Sequence, residues 1–261
     1  PVISYPITFD EAVSTRLMYT KIKDLDEELP ELHLTWNEPT ETIQIMLMGP
    51  VQIEILTQLI KNRCGVVPTF DNGKILYKET IAQPVIGVGH FEPLRHYAEA
   101  HIRIEPAERG SGVDASLDCS EDILAKNWQR LVYTHLLERT HRGTKIGAPL
   151  TDVHFTVING RAHTKHTEGG DFRQATYRAV RQGLMEAGTI ILEPEYDFTL
   201  EIPASMIGHA MTDLQSMYAV MEAPEQLGDR AIIRGHGPVA TLRDYQLHVR
   251  AFTKGQGEFQ V

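Results

Sequence analysis

Two hydrophobic periods alternate along the chain, and their order predicts a protein of the α+β class. Residues 98–105 place alanine or isoleucine at every second position between polar residues, the period of a strand with one face in solvent. Residues 172–183 repeat small and apolar residues every three or four positions, the period of a helix with one buried face. Both periods recur in each third of the chain, so we expect helices and strands throughout.

Residues 1–82 are predicted to form a split βαβ unit, with the order β-α-β-β-α-β of a ferredoxin-like antiparallel sheet. One helix is expected between Ala12 and Leu25, and a second runs from Pro50 to a C-cap at Gly65. The strands are expected at residues 2–9, 32–36, 42–48, 66–70 and 75–81. The second helix is predicted to carry one apolar stripe, made of Val51, Ile55, Leu56, Leu59 and Ile60.

Residues 195–261 repeat the same plan and are predicted to form a second split βαβ unit, truncated at its last strand. Its helices are expected at residues 204–217 and 241–252. Its strands are expected at residues 196–202, 218–222, 230–234 and 258–261. The two flanking units therefore enclose a middle domain, residues 83–194.

The middle domain is predicted to combine four strands with two helices. Ser120 is expected to cap the first helix, which ends at Gly143, and the second helix follows Asp171. The strands are expected at residues 96–106, 113–117, 152–157 and 189–192. Between the third strand and the second helix, residues 159–171 are too polar and too rich in glycine to be core, which predicts an exposed loop.

Positive charge is concentrated on this loop and on the helix after it. Residues 161–181 contain five cations against Glu168 and Asp171, a net charge of 5 − 2 = +3, whereas the whole chain carries −10. The cations are Arg161, Lys165, Arg173, Arg178 and Arg181. A basic projection on an acidic protein favours local contact with a polyanion. The alternative is a solvated loop beside an arginine-bearing helix face.

Composition and length are those of a globular protein with two or three domains. The chain has 261 residues, 42% apolar and 23% charged. Only Cys64 and Cys119 are present, which excludes a disulfide framework and leads us to expect a cytoplasmic protein. No apolar run approaches the roughly 18 residues of a membrane span, so we expect no membrane partner. Since the sequence begins at Pro1, we expect it to be a piece of a longer protein.

Two kinds of site chemistry are open from the residues alone. His163 and His166, with Asp171 nearby, are the best local candidate for a metal, and they define the alternative of a metal-dependent hydrolase. No phosphate-binding loop is present, because Gly73-Lys74 is followed by Ile75 where such a loop requires serine or threonine. Tyr97 and Phe91 lie beside Arg95 and His96, where they could stack on unpaired bases or belong to the core.

A set of short motifs, in order along the whole chain, resembles the third to fifth domains of elongation factor G. Residues 48–55 (MGPVQIEI) and 77–81 (YKETI) are similar to motifs of the third domain. Four motifs resemble those of the fourth domain: RIEP at residues 103–106, RGSG at 109–112, GAPLTDV at 147–153 and ILEP at 191–194. Two more resemble those of the fifth domain: MTDL at 211–214 and TKGQGEF at 253–259. Within the family the chain looks closest to the branch that includes the tetracycline ribosomal-protection proteins.

This resemblance implies a fold, a partner and a set of contact residues. The middle domain would adopt a ribosomal-protein-S5-like fold and insert its tip into ribosomal RNA near the decoding centre of the small subunit. The flanking domains would contact the factor-binding region of the large subunit. The chain itself is expected to be a monomer without enzyme activity or cofactor, while GTP and magnesium belong to the missing GTPase domain. The expected RNA-binding residues are Arg95, His96, Tyr97, Arg161, His163, Thr164, Lys165 and His166.

Overall fold

The computed structural model describes residues 1–10 and 12–261, which fall into two compact units. Unit 1 consists of Pro1–Leu76 together with Glu193–Val261, and unit 2 consists of Tyr77–Leu192. The chain therefore leaves unit 1 after its first sheet and returns to build a second sheet there. The three-domain limits expected from the sequence, at residues 82 and 194, stay a prediction.

The first part of unit 1 is a split βαβ fold, as predicted. Its sheet has the antiparallel order β2-β3-β1-β4, and β5 also pairs with β1. The strands are β1 (Ile3–Thr8), β2 (Thr35–Asn37), β3 (Thr42–Leu47), β4 (Thr69–Phe70) and β5 (Lys74–Ile75). The helices are α1 (Thr15–Ile22), α2 (Leu25–Glu28) and α3 (Val51–Cys64). Gly65 ends α3 at a φ of 68°, the left-handed conformation for which glycine was expected there.

Three details of this part differ from the sequence prediction. The strand expected at residues 32–36 begins only at Thr35, because Pro30–Leu32 form a 3-10 turn and His33 has a φ of 44°, which interrupts an extended chain. The apolar stripe of α3 is divided: Leu56 and Ile60 are buried, whereas Val51 and Ile55 are exposed. The expected closing strand is also divided: residues 69–70 and 74–75 pair with β1, whereas residues 78–80 pair with residues 190–192.

The second part of unit 1 repeats the same topology. Its sheet has the order β13-β15-β12-β16, with β14 also paired to β15, and all pairs are antiparallel. The strands are β12 (Glu195–Pro203), β13 (Val220–Met221), β14 (Glu225–Leu227), β15 (Arg230–Pro238) and β16 (Glu258–Gln260). The helices are α6 (Ile207–Ser216), α7 (Val239–Leu242) and α8 (Tyr245–Phe252). The predicted β-α-β-β-α-β order is confirmed in both parts, although β14 was not foreseen.

One cluster of buried side chains runs through both parts of unit 1. The Tyr196 hydroxyl donates to the carbonyl oxygen of Met48, and the Arg243 guanidinium donates to the carbonyl oxygen of Gly73 at 2.9 Å. These two bonds join elements that are far apart in sequence, so the sheets of unit 1 are connected by hydrogen bonds as well as by apolar packing.

Unit 2 consists of a four-stranded sheet, a two-stranded ladder and two helices. The sheet has the order β7-β8-β10-β9, in which β9 and β10 are parallel and the other pairs antiparallel. The strands are β6 (Lys78–Thr80), β7 (Val85–Phe91), β8 (Ala98–Pro106), β9 (Val113–Leu117), β10 (Val153–Ala162) and β11 (Ile190–Leu192); the helices are α4 (Lys126–Leu137) and α5 (Asp171–Ala187). The ladder joins β6 to β11. The α+β class is therefore confirmed.

The predicted buried faces of unit 2 are observed. Ala98, Ala100, Ile102 and Ile104 of β8 are fully buried, as are the small and apolar residues that recur along α5. Helix α4 begins at Lys126, five residues later than expected, because Ser120 instead opens a separate turn. The side-chain amide of Gln129 holds that turn by donating to the carbonyl oxygen of Leu124 at 2.7 Å.

Strand β7 was not predicted from the sequence, because glycine occupies the positions where a strand normally has its buried apolar residues. Gly87 and Gly89 face α5, and a Cβ at Gly89 would overlap the carbonyl oxygen of Ala175. Helix and strand backbones therefore approach more closely than side chains would permit.

Among the described residues, no helix combines the length and the apolar character needed to cross a membrane.

Candidate functional site

Two loops meet at one end of the unit 2 sheet, and we call them the tip, together with Arg161 and Ala162 at the end of the strand that enters the second loop. The first, residues 92–97, joins β7 to β8; the second, residues 163–170, joins β10 to α5. Strands β8 and β10 are antiparallel neighbours, with Ala98 opposite Ala162, so the loops begin side by side. The Thr167 hydroxyl joins them by donating to the carbonyl oxygen of Tyr97 at 2.7 Å. The tip thus unites the two segments in which all eight candidate residues were predicted.

Strand β10 is longer than the sequence predicted and carries one cation of the tip. It continues to Ala162, past the expected end at residue 157, with a register shift between Val157 and Asn159. Arg161 therefore lies on the sheet opposite Glu99, and not in the loop. A side chain on a paired strand has a better defined direction than one on a loop.

Asp171, at the start of α5, fixes the second loop to the first. Its side chain is buried, with one carboxylate oxygen accepting the Glu168 amide at 2.8 Å. The other oxygen lies 2.9 Å from Nδ1 of His96. A carboxylate is favoured at the first turn of a helix, where the amide dipoles point towards it. Asp171 is therefore a structural member of the tip that sequence reasoning considered only as a possible metal ligand.

The second loop is ordered by its own polar groups. The amide of His163 donates to the Thr167 hydroxyl at 2.6 Å, and the amide of Lys165 donates to Nδ1 of His163 at 3.1 Å. Because Nδ1 accepts a hydrogen bond, the neutral His163 ring carries its proton on Nε2. The rings of His163 and His166 stack at a centroid distance of 4.5 Å. The His163 ring thus has a defined orientation with an N–H group available for donation.

Tyr97 lies between the strands and the loops. Its hydroxyl donates to the Glu99 carboxylate at 3.0 Å, and the Arg161 guanidinium lies 6.0 Å from the centre of its ring. Burial and the bond to Glu99 raise the pKa of Tyr97, so it remains a neutral phenol. Hydrogen bonds from His101 and then Tyr97 outweigh burial and lower the pKa of Glu99. Tyr97 is half-buried, so it belongs partly to the core and partly to the surface.

The remaining tip side chains face solvent. Those of Arg95, Arg161, His163, Thr164, Lys165 and His166 are exposed, and His96 is half-buried. Sequence reasoning missed Leu94, which is 88% exposed in the turn between Pro93 and His96. The turn brings Arg95 to a φ of 66°, a left-handed conformation that is uncommon outside glycine. A large apolar side chain next to Arg95 gives the tip one group suited to contact the faces of bases.

A second basic feature of unit 2 was also not foreseen as a site. A surface cavity of about 370 Å³ lies between α5 and the segment that follows α4. It is lined by Arg139, His141, Arg142, Tyr177, Arg178, Val180, Arg181 and Leu184. The charge predicted on the α5 face is therefore concentrated beside a concave surface.

The alternative metal site at His163, His166 and Asp171 is not assembled. Asp171 is turned towards His96 and Glu168, while the two histidines stack on each other. Within residues 1–10 and 12–261, three side chains able to hold a metal ion converge only at His209, Asp213 and His248. The alternative of a hydrolase built on the tip histidines therefore has no support.

Comparisons with known proteins agree with the resemblance that the sequence motifs indicated. Residues 73–188 match the family model of elongation factor G domain IV, and residues 190–261 match that of the elongation factor G C-terminus. A crystal structure of a Thermus thermophilus protein superimposes over 100% of this chain and 39% of its own, with a TM-score of 0.79 and 22% identity, which supports the fold alone.

Curated relatives give the same result at the level of sequence. The tetracycline resistance protein TetP of Clostridium perfringens is 31% identical over 90% of this chain and 36% of its own length. Elongation factor G of Aquifex pyrophilus is 26% identical over 99% of this chain and 39% of its own, and that of Gluconobacter oxydans (strain 621H) is 25% identical over 99% and 38%. The chain thus spans less than two fifths of the length of these relatives. Because the two family models together cover most of its residues, the chain belongs to the family of proteins built on domain IV and the C-terminal domain of elongation factor G.

Proposed function

We propose that this chain is the ribosome-binding portion of an elongation factor G-like translation factor, and that its tip contacts ribosomal RNA near the decoding centre of the small subunit. The observation that carries the proposal is the convergence of two distant loops, both within the domain IV match, on one exposed cluster of cations and imidazoles. A solvated loop of no function would not need the buried Asp171 carboxylate to hold both loops together.

Charge supplies the first part of the expected affinity. Arg161 and Lys165 lie in the tip, and Arg173, Arg178 and Arg181 are exposed on the helix behind it. Each cation that neutralises a phosphate releases counterions, so the affinity falls with salt concentration in proportion to the number of such contacts. The chain as a whole is acidic, with a net charge of −10, so this attraction is local.

Hydrogen bonding and stacking supply the specificity. Nε2–H of His163 is free to donate to a base edge or a 2′-hydroxyl, and His166 offers a second exposed imidazole. Leu94 and the half-buried Tyr97 provide apolar surface beside these polar groups. The proposed action of the tip is electrostatic and steric, and not covalent.

The rest of the translation cycle would depend on the parent protein. GTP and magnesium would be bound by a GTPase domain outside this chain, and the flanking sheets of unit 1 would contact the factor-binding region of the large subunit. We propose a cytoplasmic monomer, in which this chain alone neither binds GTP saturably nor hydrolyses it. GTP turnover by the pure chain above the background rate would contradict this last point.

The decisive experiment combines four substitutions at the tip: Arg161→Ala, His163→Ala, Lys165→Ala and His166→Ala. One hydrogen bond contributes about 1 kcal/mol, so losing several should weaken binding to isolated small ribosomal subunits at least about tenfold. Removing two phosphate contacts should also reduce the salt slope of log affinity by about two. Binding is measured by sedimentation between low and physiological salt, and the same variant is tested in the full-length parent for function on the ribosome.

A matched control removes the same charge elsewhere in unit 2. Arg130→Ala with Lys145→Ala deletes two exposed cations that lie outside the tip, so it lowers net charge equally. We expect this control to bind like the unchanged chain. Equal binding by the tip variant and the control would mean that the tip is only a solvated turn, and the proposal would be wrong.

A further inference from the structure

Helices α6 and α8 bring three metal-ligating side chains to one place on the surface of unit 1. His209 and Asp213 lie one turn apart on α6, and His248 lies on α8. Nε2 of His209 is 3.2 Å from Oδ2 of Asp213, and Nε2 of His248 is 3.4 Å from the same oxygen. All three potential ligand atoms lie within 4.8 Å of one another. We propose that they form a binding site for a zinc-class divalent cation.

The distances suit a shared metal better than a pair of hydrogen bonds. Ligand atoms about 2.0–2.1 Å from a tetrahedral ion stand about 3.3 Å apart, close to both distances observed here. Hydrogen bonds between a charged nitrogen and a carboxylate are shorter, at about 2.7–2.9 Å. In this chain His96, His101 and His135 approach their carboxylates at 2.8–2.9 Å. His209 and His248 therefore lie farther from the Asp213 carboxylate than these three histidines lie from theirs.

Neighbouring residues hold two of the three ligands in position. The His209 ring stacks on Phe252 at a centroid distance of 4.2 Å, which fixes its plane. The buried Tyr245 hydroxyl donates to Oδ2 of Asp213 at 3.1 Å, an outer contact of the kind that orients carboxylate ligands of metals.

The donor set determines the class of ion. Two imidazole nitrogens and one carboxylate oxygen suit Zn²⁺, Co²⁺ and Ni²⁺, whereas Mg²⁺ and Ca²⁺ prefer oxygen ligands alone. The His209 and His248 side chains are about half exposed, at 50% and 53%, so the ion can enter and water can complete its coordination. Since the ligands come from two helices, the bound ion would join α6 to α8 and stabilise the second sheet of unit 1.

The test uses the whole chain after removal of metals with EDTA and dialysis. Zn²⁺ is titrated by calorimetry at pH 7.5, and Co²⁺ is added separately to record the visible absorption of a tetrahedral site. We expect saturation at one equivalent and a higher midpoint of thermal unfolding with Zn²⁺ than without it. His248→Ala and Asp213→Asn should each weaken Zn²⁺ binding at least about tenfold, because losing even an outer partner of a metal ligand typically weakens binding by that much.

Two controls separate this site from other histidines. His236→Ala removes an exposed histidine that lies 2.8 Å from Glu195 in the same sheet, and it should leave Zn²⁺ binding unchanged. The double variant His163→Ala, His166→Ala should also leave Zn²⁺ binding unchanged. A failure of the metal-site proposal would therefore be independent of the proposed function of the tip. The proposal is overturned if no saturable binding occurs, if His248→Ala and Asp213→Asn bind normally, or if only the tip variant loses binding.

Discussion

The buried carboxylate of Glu79 gives the sharpest stability prediction, because its partners can be counted. Glu79 lies in β6 and is 0% exposed. It accepts hydrogen bonds from the amides of Lys145 and Ala148, both at 2.8 Å, and of Ile146 at 3.4 Å. It also accepts one from the Thr189 hydroxyl at 2.6 Å. Glu79→Ala would remove the acceptor of all four donors at once.

The expected cost follows from which donors water could reach. Lys145 and Ile146 are exposed residues, so their amides can find water after the substitution. The amide of Ala148 is buried and would be left unsatisfied, whereas the Thr189 hydroxyl can donate instead to the Thr144 hydroxyl, 3.0 Å away. One unsatisfied buried group costs about 1–3 kcal/mol, which predicts a loss of that size in the free energy of unfolding of unit 2. Glu79→Gln retains one carbonyl acceptor and should lose less.

The assay can observe unit 2 separately, because the chain has one tryptophan in each unit. In a Trp36→Phe background only Trp128, in α4, reports by fluorescence, so urea unfolding of unit 2 is followed without a signal from unit 1. Glu186→Ala, on the exposed face of α5, is the control and should change the free energy of unfolding by less than about 0.5 kcal/mol. A loss below about 1 kcal/mol for Glu79→Ala would refute the reasoning.

Acidity tests the same carboxylate without a substitution. Burial alone would raise the pKa of Glu79, but the hydrogen bonds from Thr189 and the three amides outweigh it and lower the pKa below the ordinary value of 4.5. A carboxylate whose pKa is lower in the folded state stabilises that state fully above its unfolded pKa. This contribution is lost as the pH falls from about 4.5 through the folded-state pKa, and Glu79→Gln should remove that part of the pH dependence.

Three further predictions concern unit 2. Gly89→Ala would place a Cβ against the α5 backbone at Ala175 and should destabilise unit 2 by more than about 2 kcal/mol in urea unfolding, whereas Gly169→Ala, with open space around it, should be nearly neutral. Burial lowers the pKa of His141, so stability should fall as the pH drops from about 6.5 towards the folded-state pKa, and His141→Asn should flatten that slope. Asp171→Ala should speed hydrogen exchange of the tip amides while the amides of β8 remain protected, and unchanged exchange would contradict its structural role.

The sequence by itself determined those elements whose burial is periodic and whose ends carry their own signals. Strand β8 and helix α5 were predictable because each buries one face of apolar or small residues at its own period. Gly65 marked the end of α3 because a left-handed residue is needed there. The repeated order of elements in both parts of unit 1 followed from the same local information.

Tertiary structure alone decided everything that depends on contacts between distant residues. Strand β7 has no apolar alternation because its buried positions meet a helix backbone, so Gly87 and Gly89 carried no strand signal. The hydrogen bond between His96 and Asp171 spans 75 positions, and no local pattern shows which loop a side chain will face. For the same reason the sequence drew attention to His163 and His166, which are close together along the chain. The three side chains that converge on a common point are instead His209, Asp213 and His248, which come together only when α6 packs against α8.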